Sequence, residues 1–334
     1  MATPVVEMRN LGNSSLQVPV IGIGAWSWGD RSGYWGYGAE EFGKDQCRSA
    51  YNALMGAGLT FIDTAEVYGF GKSEEFLAEF ANEGARNGLA SPIIATKFAP
   101  LPWRQSSDSV VEAAKASLKR LQADKMALYM IHWPGFLFNA FSNEQYVLGL
   151  AKVQQQGLAQ AVGVSNFNKT RTANAARTLI QEGTCLASNQ VQYSLLYRTP
   201  ETNGVMDACK ENGVTLVAYS PLCQGLLTGK YTVNSAKPAG PRSSLFTDSR
   251  LREIEPLLAT LKAVADGRGK TMAQVALNWT VCKGALPIPG AKNEKQLAEI
   301  AGSVGWRLDD GEMAELDKAS SKVSSGSGAP FENW

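Results

Sequence analysis

Histidine is almost missing from this chain, which holds one imidazole, that of His132, among 334 residues. Metal-dependent barrel enzymes usually take several imidazole ligands from their strand ends, so the scarcity argues against a metal-dependent lyase or hydrolase. Cysteine is also sparse: the five residues are widely spaced, and no two form a CxxC pair. That pattern argues against a disulfide scaffold or a structural zinc site, and it indicates a reducing compartment.

An excess of charge and long apolar runs are missing too. The 32 basic and 31 acidic residues leave a formal net charge of +1, which predicts no binding to nucleic acid or to an anionic membrane. No apolar run approaches the ~20 residues that a membrane helix needs. The start, at 1–4, lacks a basic stretch followed by an apolar one, so we expect no secretory signal.

Short β-rich runs alternate with helical patterns along the chain. A hairpin is predicted at 8–11 and 16–19, and eight inner strands follow at 20–23, 61–63, 93–97, 127–132, 161–164, 188–192, 215–219 and 285–288. Near-continuous apolar strands between helices indicate a parallel sheet covered on its outer side. Eight such units favour a closed barrel, so we predict an α/β fold: a single (β/α)8 domain over 1–334 with an N-terminal hairpin.

Apolar residues at helical spacing predict a helix over 110–121, and further helices are predicted over 203–212 and 294–302. An extra helix, 271–282, precedes the eighth strand. The long segment 220–249 is rich in Gly, Pro and Ser, and structureless loops of this length are usually functional. The Ser/Gly-rich tail, 320–334, is predicted either to cover the barrel mouth or to be mobile.

Four polar residues follow or end successive predicted strands, at the end of a barrel that faces the active site. They are Asp63, Tyr68, Lys97 and His132. Carbonyl reduction by a nicotinamide needs a hydride for the carbon and a proton for the oxygen. A tyrosine phenol can supply the proton, and a nearby lysine ammonium lowers its pKa from ~10. An aspartate can partner the buried lysine, and a neutral imidazole can hold the carbonyl oxygen.

The segment 61–69, Phe-Ile-Asp-Thr-Ala-Glu-Val-Tyr-Gly, resembles the signature of the aldo-keto reductases, in which Asp and Tyr are five residues apart. Thr96-Lys97 and the segment 131–134 match the other two catalytic segments of that family in order and spacing. The resemblance extends from the hairpin to the last helix. It implies that Tyr68 is the general acid, Lys97 the modulator of its pKa, Asp63 the partner of the lysine and His132 the substrate-orienting residue.

The same resemblance implies a cofactor, NADPH, that lies across the barrel mouth. Ser165 and Asn166 would bind the nicotinamide carboxamide together with Gln190, and Tyr219 would stack on the ring. The segment 220–231 resembles the pyrophosphate loop of the longer-loop branch, which includes plant and bacterial reductases and potassium-channel β subunits. Its implied contacts are Ser220, Pro221, Leu222, Gln224 and Gly225, with positive charge from Lys230 and Arg242.

A last cofactor segment opens at 287–292 and continues into the predicted helix over 294–302. Gly290 precedes a natural anion site at the helix N-terminus, and Lys292 would meet the adenosine 2′-phosphate, which implies NADPH over NADH. Gln296 and Glu299 match adenine and ribose contacts. The family usually has Asn after that Glu, whereas this chain has Ile300, so an expected hydrogen bond to adenine is missing. No GxGxxG motif follows a first strand, which argues against a Rossmann dehydrogenase.

Aromatic residues cluster after the first inner strand and predict a wall for apolar or flat carbonyl substrates. They are Trp26, Trp28, Tyr34, Trp35 and Tyr37, which Trp103 and Trp133 could join. Packing of the loop itself is an equally good interpretation of any single one. Generic aldehydes, reactive dicarbonyls and pyridoxal stay open as substrates, as does a slow, cofactor-sensing regulatory subunit.

The predicted partner is therefore a small carbonyl compound, and the predicted protein is a monomer or a weak homo-oligomer. Segments at 287–292 and 305–306 look like those of plastid and cyanobacterial relatives, so the expected compartment is the cytoplasm or the chloroplast stroma. The cysteines are interpreted as small buried hydrophobic residues. Cys223 is set apart, because it lies in the predicted pyrophosphate loop and invites a redox test.

Overall fold

The fold alternates strands and helices in a computed structural model that describes residues 6–30, 43–238 and 240–325. Its strands are β1 (Met8–Asn10), β2 (Gln17–Pro19), β3 (Ile23–Gly24), β4 (Phe61–Asp63), β5 (Ile93–Phe98), β6 (Met126–Ile131), β7 (Ala159–Ser165), β8 (Leu186–Gln192), β9 (Thr215–Tyr219) and β10 (Leu286–Ile288). Its helices are α1 (Lys44–Gly56), α2 (Lys72–Arg86), α3 (Ser107–Leu121), α4 (Asn143–Gln155), α5 (Lys169–Gln181), α6 (Thr199–Thr202), α7 (Val205–Glu211), α8 (Asp248–Arg268), α9 (Met272–Cys282), α10 (Glu294–Ala301) and α11 (Asp310–Ser320). Short 3-10 helices cover Tyr68–Gly71, Leu137–Ser142, Cys223–Thr228 and Pro241–Leu245.

Strands β3 to β10 form one parallel sheet in which each strand pairs with its neighbour in the chain. The two outer strands of that sheet approach each other as well. The amides of Gly22 and Gly24 donate to the carbonyls of Pro287 and Pro289, each at 3.0 Å. Eight parallel strands thus nearly close into a barrel, which confirms the predicted fold class, and the antiparallel hairpin β1–β2 precedes them.

The barrel has an inner and an outer apolar layer. Inside it, Phe61, Leu128 and Val217 pack together with Leu11 and Leu16 of the hairpin, which closes one end of the barrel. Outside it, the other faces of the strands pack against the helices in a larger cluster. Because the hairpin blocks one end, ligands can enter only at the end where the parallel strands finish, the usual site of catalysis in this architecture.

Most elements lie where the sequence predicted them, with shifted ends. The predicted first inner strand, 20–23, is wrong in its bounds, because Val20 donates to Glu7 of the hairpin and pairing within the barrel begins only at Gly22. The extra helix before the last strand is confirmed as α9, capped by the hydroxyl of Thr271. Helix α8 was not predicted, and the segment 220–249 contains two short 3-10 helices.

No helix within the described ranges is long and apolar enough to cross a membrane.

Candidate active site

A buried ion pair occupies the ends of two neighbouring strands. The Lys97 ammonium lies 2.6 Å from Oδ2 of Asp63, and the two side chains are 0% and 3% exposed. Lys97 also donates to the carbonyl of Thr64 at 2.8 Å, and Gln190 donates to Oδ1 of Asp63 at 2.7 Å. Burial raises the pKa of Asp63 and lowers that of Lys97, and their mutual attraction opposes both shifts. These short polar contacts thus hold both charged groups in place.

Tyr68 lies on the 3-10 helix that follows β4, and its hydroxyl accepts a hydrogen bond from Lys97 at 3.3 Å. The sequence predicted that the ammonium would lower the pKa of the phenol. In the described site burial, followed by the charge of Asp63, raises the pKa of Tyr68 well above 10.0 and outweighs any lowering by the ammonium. Because burial disfavours the phenolate, the phenol stays protonated at neutral pH, which is the form that a proton donor needs.

His132 comes directly after β6 and meets Tyr68 edge to face, with ring centroids 5.5 Å apart. Burial, and secondarily the charge of Lys97, holds the pKa of His132 well below 6.5, so the imidazole is neutral. Its Nδ1 is buried without a hydrogen-bond partner among the described residues. A buried lone pair costs less than a buried N–H, which favours the tautomer that carries its proton on Nε2.

A cavity of about 1040 Å³ opens at this end of the barrel. Asp63, Tyr68 and His132 line it, and so do all fifteen residues predicted as cofactor contacts and two of the predicted substrate contacts, Trp26 and Trp133. Lys97 is the exception among the four predicted catalytic residues, because it lies behind Asp63 and Tyr68 and does not reach the cavity wall. The structure thus brings the predicted residues to one place.

Amide and hydroxyl groups form the part of the wall beside His132. Asn166 donates from its side chain to the carbonyl of His132 at 3.1 Å and accepts from the hydroxyl of Tyr219 at 3.0 Å. Ser165, which pairs in register with Gln190, donates to the carbonyl of Gln190 at 2.8 Å. Asn166 adopts a left-handed backbone with φ of 60°, an uncommon conformation that turns the chain away from β7.

The segment after β9 has an unusual backbone. Ser220, Cys223 and Gln224 have φ values of 52°, 47° and 55°, and Gly225 has 107°. Conformations of this kind for several non-glycine residues cost energy and cluster at ligand-binding loops. Arg242 reaches back and donates to the carbonyl of Gln224 at 3.0 Å, which holds a buried cation against the loop.

The far end of the cavity is formed by the start of α10. The amide of Lys292 donates to the side chain of Gln296 at 2.8 Å, and Asn293 caps the helix. The carbonyl of Glu299 accepts from Gln274 of α9 at 3.0 Å. Ile300 is buried and lines the cavity, so an apolar surface stands where the sequence comparison expected an amide.

Aromatic residues divide into wall, core and surface. Trp26 and Trp133 line the cavity, and their contact with substrate stays a prediction. Trp28 does not line it: it is buried in the core, and its indole N–H donates to the carbonyl of Ala291 at 3.2 Å. Trp103 is 76% exposed and does not line the cavity. The other predicted wall residues, Tyr34, Trp35 and Tyr37, and the tail beyond 325 lie outside the described residues.

Several wall residues were not predicted. Leu196 and Tyr197, after β8, and Arg250, in the first turn of α8, line the same cavity. Arg250 is held by Glu253 at 2.7 Å and by the carbonyl of Ser324 at 2.9 Å. If α8 had been predicted from its apolar spacing, Arg250 would have been a candidate wall residue. Nothing in the local sequence indicates that Leu196 lines the cavity.

Cys223 also lines the cavity, with its thiol 3.0 Å from the hydroxyl of Ser194. Burial raises the pKa of this thiol to about 11, so it is protonated at neutral pH. Among the described residues, no group of three or more His, Cys, Asp or Glu side chains could hold a metal ion.

A neutral imidazole, a protonated phenol and a buried ion pair at the open end of a barrel, beside a large cavity, are typical of the active site of a barrel enzyme. The family model described as "Aldo/keto reductase family" matches residues 20–321. The chain belongs to that family, and it is an aldo-keto reductase, an oxidoreductase that acts on carbonyl compounds.

The chain shows moderate sequence identity to relatives whose names state an activity. The chain is 39% identical over 310 residues to "Pyridoxal reductase, chloroplastic" of Arabidopsis thaliana, which covers 91% of this chain and 84% of the relative. It is 30% identical to "Aldo-keto reductase yakc [NADP(+)]" of Schizosaccharomyces pombe, over 94% of this chain and 91% of the relative. The crystal structure of an aldo/keto reductase from Klebsiella pneumoniae in complex with NADP and acetate is similar, with a TM-score of 0.69, 28% identity and coverage of 90% and 91%. Related proteins thus bind NADP.

Proposed function

We propose that this protein reduces a small, flat, phosphate-free aldehyde of the pyridoxal type with NADPH, and that Tyr68 donates the proton. The observation that carries the proposal is the contact of the Tyr68 hydroxyl with Lys97 at 3.3 Å, beside a neutral imidazole and inside one continuous cavity. The pyridoxal activity printed for the Arabidopsis relative supports the substrate class.

The described residues fit NADPH. Polar side chains beside His132, a loop with strained left-handed residues and a helix start with a lysine follow one another along the cavity wall. Amides suit a carboxamide, backbone N–H groups and Arg242 suit a pyrophosphate, and Lys292 suits a further phosphate. Ile300 and Ala273 leave an apolar surface that suits the face of an adenine ring.

When bound, NADPH supplies the hydride that carbonyl reduction needs. The protein places the carbonyl oxygen between the hydroxyl of Tyr68 and Nε2–H of His132, so that two donors face the developing negative charge. Tyr68 then gives its proton to that oxygen, and the ammonium of Lys97 stabilises the phenolate that remains. Asp63 keeps Lys97 charged and in place, and Gln190 fixes the second oxygen of Asp63.

The charges on the wall favour a substrate without phosphate. The described cations that line the cavity are Lys230, Arg242 and Lys292, which belong to the predicted cofactor contacts, and Arg250, which pairs with Glu253. Next to Tyr68 and His132 the described wall includes Val67, Trp133 and the uncharged amide of Asn166. Burial of a phosphate there without a partner would be costly, whereas a flat aromatic aldehyde would stack on indole rings.

A carbonyl panel tests the proposal. NADPH consumption should be fastest with pyridoxal, slower with methylglyoxal, and at least about tenfold lower in kcat/KM with pyridoxal 5′-phosphate, as expected for an unpaired buried phosphate. Equal rates with the phosphorylated aldehyde would contradict the substrate class. Tight NADPH binding without turnover of any aldehyde would instead indicate a cofactor-sensing subunit. Addition of a chelator should leave the rate unchanged.

A further inference from the structure

Two ion pairs with buried carboxylates hold the segment from the end of β4 to the first turn of α2, which carries Tyr68. Glu66, two residues before Tyr68, has a side chain that is only 8% exposed. Its Oε1 accepts from the backbone amide of Ala99 at 2.7 Å and from Arg104 in a very short contact. Its Oε2 accepts from a second nitrogen of Arg104 at 3.2 Å. One carboxylate therefore joins this segment to residues that follow Lys97.

Arg104 is itself fixed in place, so it can act as an anchor. It donates to the carbonyl of Ala99 at 3.1 Å, and its guanidinium lies 5.3 Å from the centre of the Phe98 ring. The hydroxyl of Tyr146 donates to the Arg104 carbonyl. A planar guanidinium held on several sides gives a bidentate contact with a defined direction, which a flexible ammonium would not give.

The second pair attaches the other end of the same segment. Glu74, fully buried in the first turn of α2, accepts from Arg120 at 2.5 Å and from the hydroxyl of Thr96 at 2.6 Å. Thr96 directly precedes Lys97. Arg120 also lies 4.0 Å from Glu66, so the two pairs form one network. The carboxylates belong to the Tyr68 segment, and all their side-chain partners belong to β5, the loop after it, and α3.

We infer that Glu66, through Arg104 and Ala99, is a positioning residue that sets the hydroxyl of Tyr68 against the ammonium of Lys97. The 3.3 Å contact between those two groups joins the same two parts of the chain that Glu66 joins. The inference rests on the proposed role of Tyr68 as proton donor. Burial of a charged carboxylate is costly even when it is paired, so two such carboxylates beside the Tyr68–Lys97 contact point to a role in geometry.

The test compares two isosteric substitutions. Glu66→Gln keeps an acceptor for the Ala99 amide but gives up the charge that Arg104 needs. Glu312→Gln is the matched control: Glu312 is 19% exposed, makes a bidentate pair with Arg268 at 2.6 and 2.7 Å, and accepts from the Asp309 amide at 2.9 Å. That pair joins α8 to α11, and neither residue lines the cavity.

Single-turnover NADPH oxidation with pyridoxal should be about 10- to 100-fold slower in Glu66→Gln, because displacement of a catalytic group by about 1 Å has an effect of that size. KM for the aldehyde and Kd for NADPH should change less than about threefold, since the variant alters orientation and not binding. Glu312→Gln should lower the melting temperature by a similar amount and leave the rate unchanged.

Equal rates in Glu66→Gln and the wild-type protein would overturn the inference, and so would a loss shared by Glu312→Gln. Crystal structures give a readout that does not depend on turnover: the Tyr68–Lys97 contact should lengthen in Glu66→Gln, and an unchanged contact overturns the inference even if no aldehyde is reduced. Should Glu66→Gln fail to fold, Arg104→Lys serves instead. It keeps the charge, loses the second nitrogen, and should show a smaller fall in kcat with the same unchanged KM.

Discussion

At the scale of single residues, the site depends on two charges that neutralise each other deep in the protein. Lys97 and Asp63 could be assigned to strand ends from the sequence, and their roles follow from the family resemblance. The net effect on Tyr68 could not be predicted, because it depends on burial and on the distance from Asp63, which arise only when three strands come together. The direction of the pKa shift of Tyr68 is therefore a property of the fold and not of the motif.

The first prediction concerns this ion pair. Lys97→Met should lower the free energy of unfolding by about 3–5 kcal/mol, because it leaves the Asp63 carboxylate buried without its partner. The double variant Lys97→Met with Asp63→Asn should recover most of that loss, while both variants stay inactive because the phenol has lost its lysine. Urea denaturation measures the stabilities, and a double variant no more stable than the single one would contradict the explanation.

The second prediction uses the single histidine of the chain. The pKa of His132 is lowered in the folded protein, so the unfolded chain takes up the proton more readily. Stability should therefore be complete above the ordinary pKa of 6.5 and decrease as the pH falls below it, by at most about 1.4 kcal/mol per pH unit.

His132→Asn should remove most of this slope between pH 6.5 and 5, since the main carboxylate effects begin at lower pH. Urea titrations of the wild-type protein and the variant at several pH values measure it. A slope that is the same in both proteins would assign the acid sensitivity to other groups. In the folded wild type, the imidazole signals in an NMR titration should stay at their neutral positions through this range.

At the scale of elements, the periodicity of apolar residues predicted most strands of the sheet well. It failed where the hydrogen-bond partners of a strand are distant in sequence. The first inner strand was predicted to start too early in the chain, because the amide of Val20 pairs with the hairpin. The start of β3 is defined only by the bonds of Gly22 and Gly24 to the edge of β10. Helix α8 was missed although Leu251, Ile254, Leu257 and Leu261 have apolar spacing and are buried. Pro256 within it and the loop-like sequence before it hid that signal.

The third prediction concerns the hairpin β1–β2. Leu11 is fully buried against the inner core of the barrel. Leu11→Ala should lower the free energy of unfolding by about 2–5 kcal/mol, through lost burial and the cavity left behind. The hairpin lies at the end away from Tyr68, so kcat and Kd for NADPH should stay unchanged at temperatures where the variant is folded. A large loss of kcat without loss of stability would show that the hairpin is coupled to the site.

At the scale of the whole molecule, one cavity contains Tyr68 and His132 together with the predicted cofactor contacts. Residues from most strand ends line it. All the predicted cofactor contacts and three of the four predicted catalytic residues line this cavity, and so do residues that were not predicted, such as Leu196. Trp28 was wrongly predicted as a wall residue, because the sequence of a loop does not reveal which of its positions face the cavity and which face the core.

The fourth prediction concerns the cleft. NADPH should stabilise the folded protein by about 2.7 kcal/mol at a concentration 100 times its Kd. Lys292→Met should weaken the binding of NADPH by about tenfold and leave that of NADH unchanged, if the ammonium meets the 2′-phosphate as we propose. Fluorescence titration with both cofactors measures the two constants, and equal weakening of both would place Lys292 elsewhere along the ligand.

The most direct measurement of the central claim is single-turnover hydride transfer from bound NADPH to pyridoxal in Tyr68→Phe. The phenyl ring keeps the packing against His132 and removes only the hydroxyl that Lys97 contacts. We predict a rate lower by about 10²- to 10⁴-fold, the usual contribution of a general acid, with Kd for NADPH unchanged. A variant that oxidises NADPH at the wild-type rate would show that the proton comes from another group, and the assignment of Tyr68 would be wrong.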